Sequence, residues 1–171
     1  IADLVLDYCS IKQPDGARFS TQNNAVVLND EMVTDKVVIE PYYGIKIADV
    51  DVTEKNCKDL SVIDGVDGKI SYNPETKTLT MEDVTINVAD NSGIWNSSVK
   101  GLKIVLVGNN IITSSSSCIK IDKTSTISGS GTLILKSSEN CGIYMPSSLT
   151  VEGVTIYAEG EWGIAGQEFQ T

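Results

Sequence analysis

The sequence contains no histidine, and Arg18 is its only arginine. Histidine is the side chain most often used for proton transfer near neutral pH, so acid–base chemistry would depend on carboxylates. The candidate carboxylates are Asp83, Asp122, Glu139 and Glu152. Neighbouring members of this set are 39, 17 and 13 residues apart, and these distances do not match the length of one repeat of the chain. Arg18 lies in a turn-rich segment outside the repeats, which disfavours a lyase that uses arginine with calcium. These shortages argue against an enzyme.

The four cysteines include no CxxC pair, although a Cys₄ zinc site usually has such close pairs. Cys118 and Cys141 fall at related positions in successive repeats. We interpret them as small apolar residues in a stacked core column, with a disulfide as the alternative.

Long apolar runs are also missing, since none approaches the roughly 18 residues that span a bilayer, and no signal peptide is present. The net charge of −10 disfavours nucleic acid and anionic membranes as partners. It is compatible with a secreted or surface-exposed protein that binds divalent cations.

What the chain does have is a repeat. Isoleucines 94, 119, 143 and 164 each follow a glycine or cysteine and are 25, 24 and 21 residues apart. A second series, apolar-acidic-variable-apolar-Thr-Ile, occurs at 81–86 and 151–156, and 6–11 matches it with cysteine and serine in the fourth and fifth positions. Repeats of this length are small units that bury their apolar face by stacking on the next unit. Strand-forming residues, turn-forming Gly, Asn and Ser, and the lack of a helical stripe predict a β-solenoid.

The predicted organisation has three parts. Residues 1–41 are interpreted as the end of a preceding repeat, with a boundary at Glu40-Pro41, because proline cannot donate to a strand ladder. Residues 42–81 form an antiparallel segment, and residues 82–171 form the coils. The sequence opens at Ile1-Ala2-Asp3-Leu4 already in a strand-like pattern, so we expect a fragment of a longer protein.

Two patterns define the antiparallel segment. Residues 43–53 alternate apolar and polar at period two, which predicts one half-buried strand. Residues 69–81 contain the clearest hairpin, with Pro74 at the second turn position. The core is predicted from the repeated aliphatic residues: Ile86, Ile94, Leu102, Ile104, Leu106, Ile119, Ile127, Leu133, Leu135, Ile143, Val151, Ile156 and Ile164.

Several of these stretches together resemble a known repeat. Tyr43-Gly44-Ile45-Lys46-Ile47, then Asn56-Cys57, Gly68 through Thr80 and Gly93-Ile94 are similar to a repeat of surface and secreted proteins from gut Bacteroidetes and Firmicutes. The resemblance covers about residues 42–166. It implies a right-handed parallel β-helix of the carbohydrate-binding or adhesin-like type, at the bacterial cell surface or outside the cell. The family's usual glycines after the first strand are replaced here by Ala48-Asp49.

The residue after each repeated dipeptide is Trp95, Lys120, Tyr144 and then Ala165. If the isoleucines point inward, strand alternation places these side chains outward in one column, about 4.8 Å apart. Trp95 and Tyr144 flanking Lys120 would form an aromatic and cationic strip that suits sugar rings. Trp162 precedes its glycine and either extends the strip or covers the last coil. The competing interpretation is that the rings pack under a loop.

The base expectation is that the protein has no cofactor. Calcium is the one cofactor that the sequence suggests as an alternative. Asp64 and Asp67 lie in an Asp-Gly-rich stretch that offers oxygen ligands, although the spacing is not that of an EF-hand loop. Tight-turn formation is the ordinary explanation for the same residues.

The sequence therefore predicts an all-β protein, a right-handed parallel β-helix with an antiparallel hairpin segment. The predicted function is a non-catalytic surface or secreted module that binds a polysaccharide or host glycan. A polysaccharide-degrading enzyme of the pectate-lyase type and a structural stalk repeat are the alternatives. Open solenoid ends present unpaired strand edges, so we also expect stacking on neighbouring repeat copies or self-association, without nucleic acid and without membrane insertion.

Overall fold

A computed structural model describes residues 4, 6 and 8–166 of the chain. The chain divides into two compact units, Ile1–Tyr42 and Tyr43–Thr171. The strand-like pattern at residues 1–3 lies outside the described residues, as does Asp7 of the 6–11 motif. Within the described part, no helix is long and apolar enough to cross a membrane.

The first unit consists of two small antiparallel sheets. Strand β1 (Cys9–Gln13) pairs with β5 (Val38–Pro41), and β2 (Arg18–Ser20), β3 (Ala25–Leu28) and β4 (Glu31–Met32) form a meander. Tyr8 occupies the variable position of the repeated motif and has a left-handed backbone with φ of 51°. Asp83 and Gly153, at the same motif position, have φ of 51° and 70°. The shared local conformation supports the interpretation of this unit as the end of a preceding repeat, which stays a prediction.

The second unit begins with a cap. It contains β6 (Ile45–Ile47), β7 (Val50–Asp51), a 3₁₀ turn (Leu60–Val62) and β8 (Val66–Asn73). The single strand predicted over 43–53 is wrong, because β6 and β7 are antiparallel partners joined by a two-residue turn. Ala48 and Asp49 form that turn with φ of 47° and 65°, both in the left-handed region that glycine usually occupies. The sequence pattern concealed the turn because neither residue is a glycine.

Within residues 78–166, eleven strands build the coils, which make about four turns with three faces each. The first turn is formed by β9 (Thr78–Val88), which bends at Asp83 to serve two faces, and by β10 (Ile94–Asn96). The later turns repeat this order with β11 (Leu102–Val107), β12 (Asn109–Ser114), β13 (Ile119–Ile121), β14 (Ser125–Gly129), β15 (Thr132–Ser137), β16 (Cys141–Tyr144), β17 (Leu149–Glu152), β18 (Thr155–Glu159) and β19 (Trp162–Ala165). Equivalent strands of successive turns pair in parallel. The predicted parallel β-helix and its antiparallel hairpin, β8–β9, are confirmed.

The core follows from strand alternation within these in-register columns. Ten of the thirteen predicted core residues are buried. Ile156 is half-buried, and the prediction is wrong for Val151 and Ile164, which are 47% and 52% exposed. Val151 pairs with the buried Ile127, and Ile164 pairs with the buried Ile143, so both side chains point to the inner side of the coils. They are exposed because no strand pairs with the far edge of β17, β18 or β19 among the described residues.

The opposite end of the coils is covered. Strand β8 pairs antiparallel with β9, and β6 pairs antiparallel with β10, so every face of the first turn has a partner. Leu60 of the 3₁₀ turn is fully buried and closes the core at this end. Stacking of another copy, which the sequence predicts at solenoid ends, would therefore use the β17–β19 edge.

Two buried asparagines tie the corners of the coils together. Asn110 accepts a hydrogen bond from the Val84 backbone N at 3.0 Å and donates to the Val107 carbonyl at 3.1 Å. Asn96 binds the backbone N and O of Val99 and donates to Ser125 Oγ on the next turn at 2.9 Å. Because both amides are fully buried, losing their hydrogen bonds leaves buried polar groups, such as the Val84 N–H, without a partner.

We expect Asn110→Ala to lower the free energy of unfolding by about 1–3 kcal/mol, because the buried Val84 N–H loses its acceptor. The neighbouring exposed residue provides a matched control, and Asn109→Ala should change stability by less than about 0.5 kcal/mol. Urea denaturation measures both. Equal losses for the two variants would contradict the corner role of Asn110.

Asp49→Gly should raise the free energy of unfolding by about 0.5–1 kcal/mol, because glycine adopts the left-handed turn conformation without the Cβ penalty. The ion pair between Asp49 and Lys46 is partly exposed and contributes little. Asp90, which is exposed and outside the left-handed region, is the control, and Asp90→Gly should lower stability. Thermal and urea denaturation distinguish the two. A loss for Asp49→Gly would contradict the strain inferred for this turn.

Candidate functional site

The outer face of the β6–β10–β13–β16 sheet carries a column of four side chains, which we call the ladder: Lys46, Trp95, Lys120 and Tyr144. Strand pairing places Trp95 opposite Lys46 on one side and Lys120 on the other. Lys120 is in turn opposite Tyr144, and Tyr144 is opposite Ala165. The three residues predicted for the strip thus lie in one outward column, and all are half-buried. Lys46 was missed because its strand runs antiparallel in the cap.

Cations lie against the aromatic rings of the ladder. The Lys120 Nζ is 4.9 Å from the Trp95 ring centroid and 6.0 Å from that of Tyr144. Lys46 Nζ lies 5.7 Å from the Trp95 centroid, and the indole Nε1 donates to Asp122 Oδ2 at 2.6 Å. Trp95 is therefore held between two ammonium groups and a carboxylate. Both aromatic rings of the ladder are half-buried and have lysine ammonium groups against them, and whether they stack on a ligand stays a prediction.

The two lysines of the ladder differ in their charge environment. Lys46 Nζ lies 3.6 Å from a carboxylate oxygen of Asp49 and 3.6 Å from one of the buried Asp51. Lys120 has no carboxylate within ion-pair distance among the described residues. Lys120 is thus the cation of the ladder that is available to a ligand.

A pocket of about 170 Å³ lies beside the ladder. Lys46, Trp95 and Lys120 form one side, and polar residues of the coil corners form the other, chiefly Asn91, Ser92 and Ser116. Amide and hydroxyl groups can each donate and accept hydrogen bonds, which suits a ligand that is itself rich in hydroxyls. The pocket has room for part of a ligand, and the ladder would contact the rest.

The structure separates Trp162 from the ladder. Trp162 pairs with the buried Cys141 and lies two residues before Ile164 on the same strand. Its side chain therefore points to the inner side of the last turn, as that of Ile164 does. Ala165 takes the next position in the ladder column. Of the two roles considered for Trp162, its position fits covering the last coil.

The predicted calcium ligands do not gather a coordination shell in the described residues. Asp64 and Asp67 are exposed, and Asp67 Oδ1 accepts a hydrogen bond from the neighbouring Gly68 N at 2.9 Å. No group of three or more acidic, histidine or cysteine side chains lies close enough to hold a metal ion in the described part of the chain. Asp64 lies in the turn before β8, and Asp67 lies within β8 opposite Thr85. Calcium binding stays a prediction.

The cysteines in the coils are free thiols. Cys118 and Cys141 are buried on adjacent turns, and the Cys118 N donates to the Cys141 carbonyl at 3.1 Å. Burial raises the pKa of the Cys118 thiol to about 11, and it also raises the pKa of Cys141. Both thiols therefore stay protonated near neutral pH and are poor nucleophiles. They act as small core residues, as the spacing suggested.

The cap contains a second concave region that the sequence did not indicate. This cap cleft, of about 850 Å³, lies between residues 54–58 and the β8–β9 hairpin. Tyr43 lines it, and its ring is 5.7 Å from that of Tyr72. Burial raises the pKa of Tyr43, and the nearby Cys57 and Glu54 raise it further. The cleft joins segments that are distant in sequence, which is why no local pattern revealed it.

Comparison of the chain with protein-family models, with curated protein sequences and with solved structures finds no match. The geometry of the ladder and of the cap cleft therefore carries the functional argument.

Proposed function

We propose that the chain is a non-catalytic module, at the cell surface or secreted by a bacterium, that binds a polysaccharide or host glycan through the ladder. The observation that carries this proposal is the fixed column of two lysines and two aromatic rings beside a pocket of amide and hydroxyl groups. Its side chains are already ordered by cation–π contacts and by the Trp95–Asp122 bond. Binding would therefore cost little side-chain entropy.

The chemistry of the ladder fits a carbohydrate. Sugars present hydroxyl groups along their edges, which the amide and hydroxyl groups of the pocket and the Lys120 ammonium group can bind. The half-buried rings of Trp95 and Tyr144 add apolar surface for the C–H groups. The repeat of the coils, about 4.8 Å, also presents similar side chains at regular steps to an extended chain. The net charge of −10 disfavours nucleic acid and anionic lipid as competing partners.

The environment of the candidate carboxylates supports a non-catalytic role. Asp83 Oδ1 accepts a hydrogen bond from the Asn109 N at 2.8 Å, where it stabilises a corner of the coil. Asp122 is engaged by the Trp95 indole. Two of the four carboxylates considered for catalysis thus already have structural partners.

A structural stalk repeat is the second candidate, and the ladder itself supplies the observation that favours it. A ring flanked by two ammonium groups and bound to a carboxylate also stabilises neighbouring turns without any ligand. The two functions differ in whether glycan binding depends on the ladder.

A glycan array, screened with calcium and with chelator, tests the proposal. We expect calcium-independent binding that weakens at least tenfold in Trp95→Ala/Tyr144→Ala, because aromatic residues at the centre of an interface commonly contribute about 2 kcal/mol each. Lys120→Met, which keeps the aliphatic stem over the rings, should weaken binding without changing the circular dichroism spectrum.

Lys103→Met is the matched control, because Lys103 points outward from a different face of the coils and is exposed. Its binding should equal that of the wild type. A silent array would favour the stalk, and glycan binding that survives the double substitution would exclude the ladder as the binding site. Hits that depend on calcium would instead direct attention to Asp64 and Asp67.

A further inference from the structure

We propose that the cap cleft is a second binding site, separate from the ladder, that takes a short uncharged oligosaccharide. It is lined by residues 54–58, by the β8–β9 hairpin and by Tyr43. At about 850 Å³ it has the volume of a small-molecule site, whereas the pocket beside the ladder holds about 170 Å³.

The walls of the cleft are preformed. The Tyr72 N donates to the Cys57 carbonyl at 2.7 Å, which fastens the 54–58 segment to β8. Within that segment, Asn56 accepts a hydrogen bond from the Thr53 N at 2.8 Å and donates to the Asp51 carbonyl at 3.0 Å. A ligand would therefore meet an ordered surface, and little binding free energy would be spent on ordering it.

One wall is a patch of outward polar side chains on two paired strands. Ser71 lies opposite Thr80, and Asn73 lies opposite Thr78. Strand geometry spaces such groups by about 5 Å across the sheet and about 7 Å along it, distances within one or two sugar units. The hydroxyls of Ser71 and Thr80 make no hydrogen bond among the described residues, so both can donate to and accept from a ligand.

The charges in the cleft balance. Glu54 and Glu75 contribute two carboxylates, and Lys55 and Lys58 contribute two ammonium groups. None of the four forms an ion pair within the described residues. For a phosphate-rich or uronate-rich ligand, and equally for a polycation, the attraction from one pair of charges is offset by the repulsion from the other pair. The cleft therefore offers a charged ligand no net electrostatic gain. Hydroxyl groups, in contrast, can bind carboxylates as donors and ammonium groups as acceptors.

The remaining wall is apolar. The rings of Tyr43 and Tyr72 are tilted by 50° to one another, and Pro74 lies at the hairpin turn. Tyr72 is buried, so the half-buried ring of Tyr43 is the aromatic surface that a ligand meets. This ring beside hydroxyl, amide and balanced ionic groups matches a pyranose, which has C–H faces and hydroxyl edges. A lipid would leave the four charged side chains without polar partners, which is costly.

The test is amide chemical-shift mapping of the whole chain with neutral hexasaccharides as probes, namely cellohexaose, xylohexaose and mannohexaose, and with hexagalacturonate as the anionic comparison. We expect at least one neutral probe to shift amides of residues 54–58 and 71–80. Ser71→Ala/Thr80→Val should weaken that binding about tenfold, because it removes two hydrogen-bonding hydroxyls from an outward surface.

Thr126→Val/Ser128→Ala is the matched control. These two residues belong to the same face of the coils, in register with Thr78 and Thr80 through β11, but lie outside the cleft. The control should bind the probe as the wild type does and should unfold at a similar temperature to Ser71→Ala/Thr80→Val.

Three results would overturn the assignment. They are absence of cleft shifts with every neutral probe, cleft shifts with hexagalacturonate alone, and unchanged affinity in Ser71→Ala/Thr80→Val. Shifts confined to residues 94–96, 119–121 and 143–145 would overturn the cap cleft while supporting the ladder. Shifts confined to the cleft would support this site and count against the ladder, so the two proposals fail separately.

Discussion

In-register parallel stacking of the coils is the constraint on which the rest of the structure depends. When Ile94, Ile119 and Ile143 occupy one inward column, the residues after them are forced into one outward column. A shift of one residue would exchange the two faces and expose the core. The core and the ladder are thus two consequences of the same register, and the buried amides of Asn96 and Asn110 hold that register at the corners.

The two ends of the coils show what stacking requires. At the first turn, β8 and β6 pair antiparallel with the coil and supply the neighbour that a repeat needs. At the last described turn, Val151 and Ile164 face inward and stay about half exposed, because the described residues provide no further strand. An edge of this kind is suited to pairing with another chain or another repeat. Association through it stays a prediction.

The sequence could predict whatever depends on local spacing. The length of the repeat predicted the coil fold. The alternation of side chains along each strand predicted most of the core and the outward placement of Trp95, Lys120 and Tyr144. It could not predict the turn at Ala48-Asp49, because left-handed residues without glycine leave no local signal. Lys46, the Trp95–Asp122 bond and the cap cleft were also hidden, since each joins residues that only the folded chain brings together.

Hydrogen–deuterium exchange of backbone amides tests the stacking account most directly. If each turn is stabilised by its neighbours, protection should be greatest in β9, β11 and β12, which have strands on both sides and lie at least two turns from the open edge. It should be least in β17, β18 and β19, which form that edge. Uniform protection along the coils, or greatest protection at β17–β19, would contradict the account. A gradient from the cap towards the last described turn is the result that it predicts.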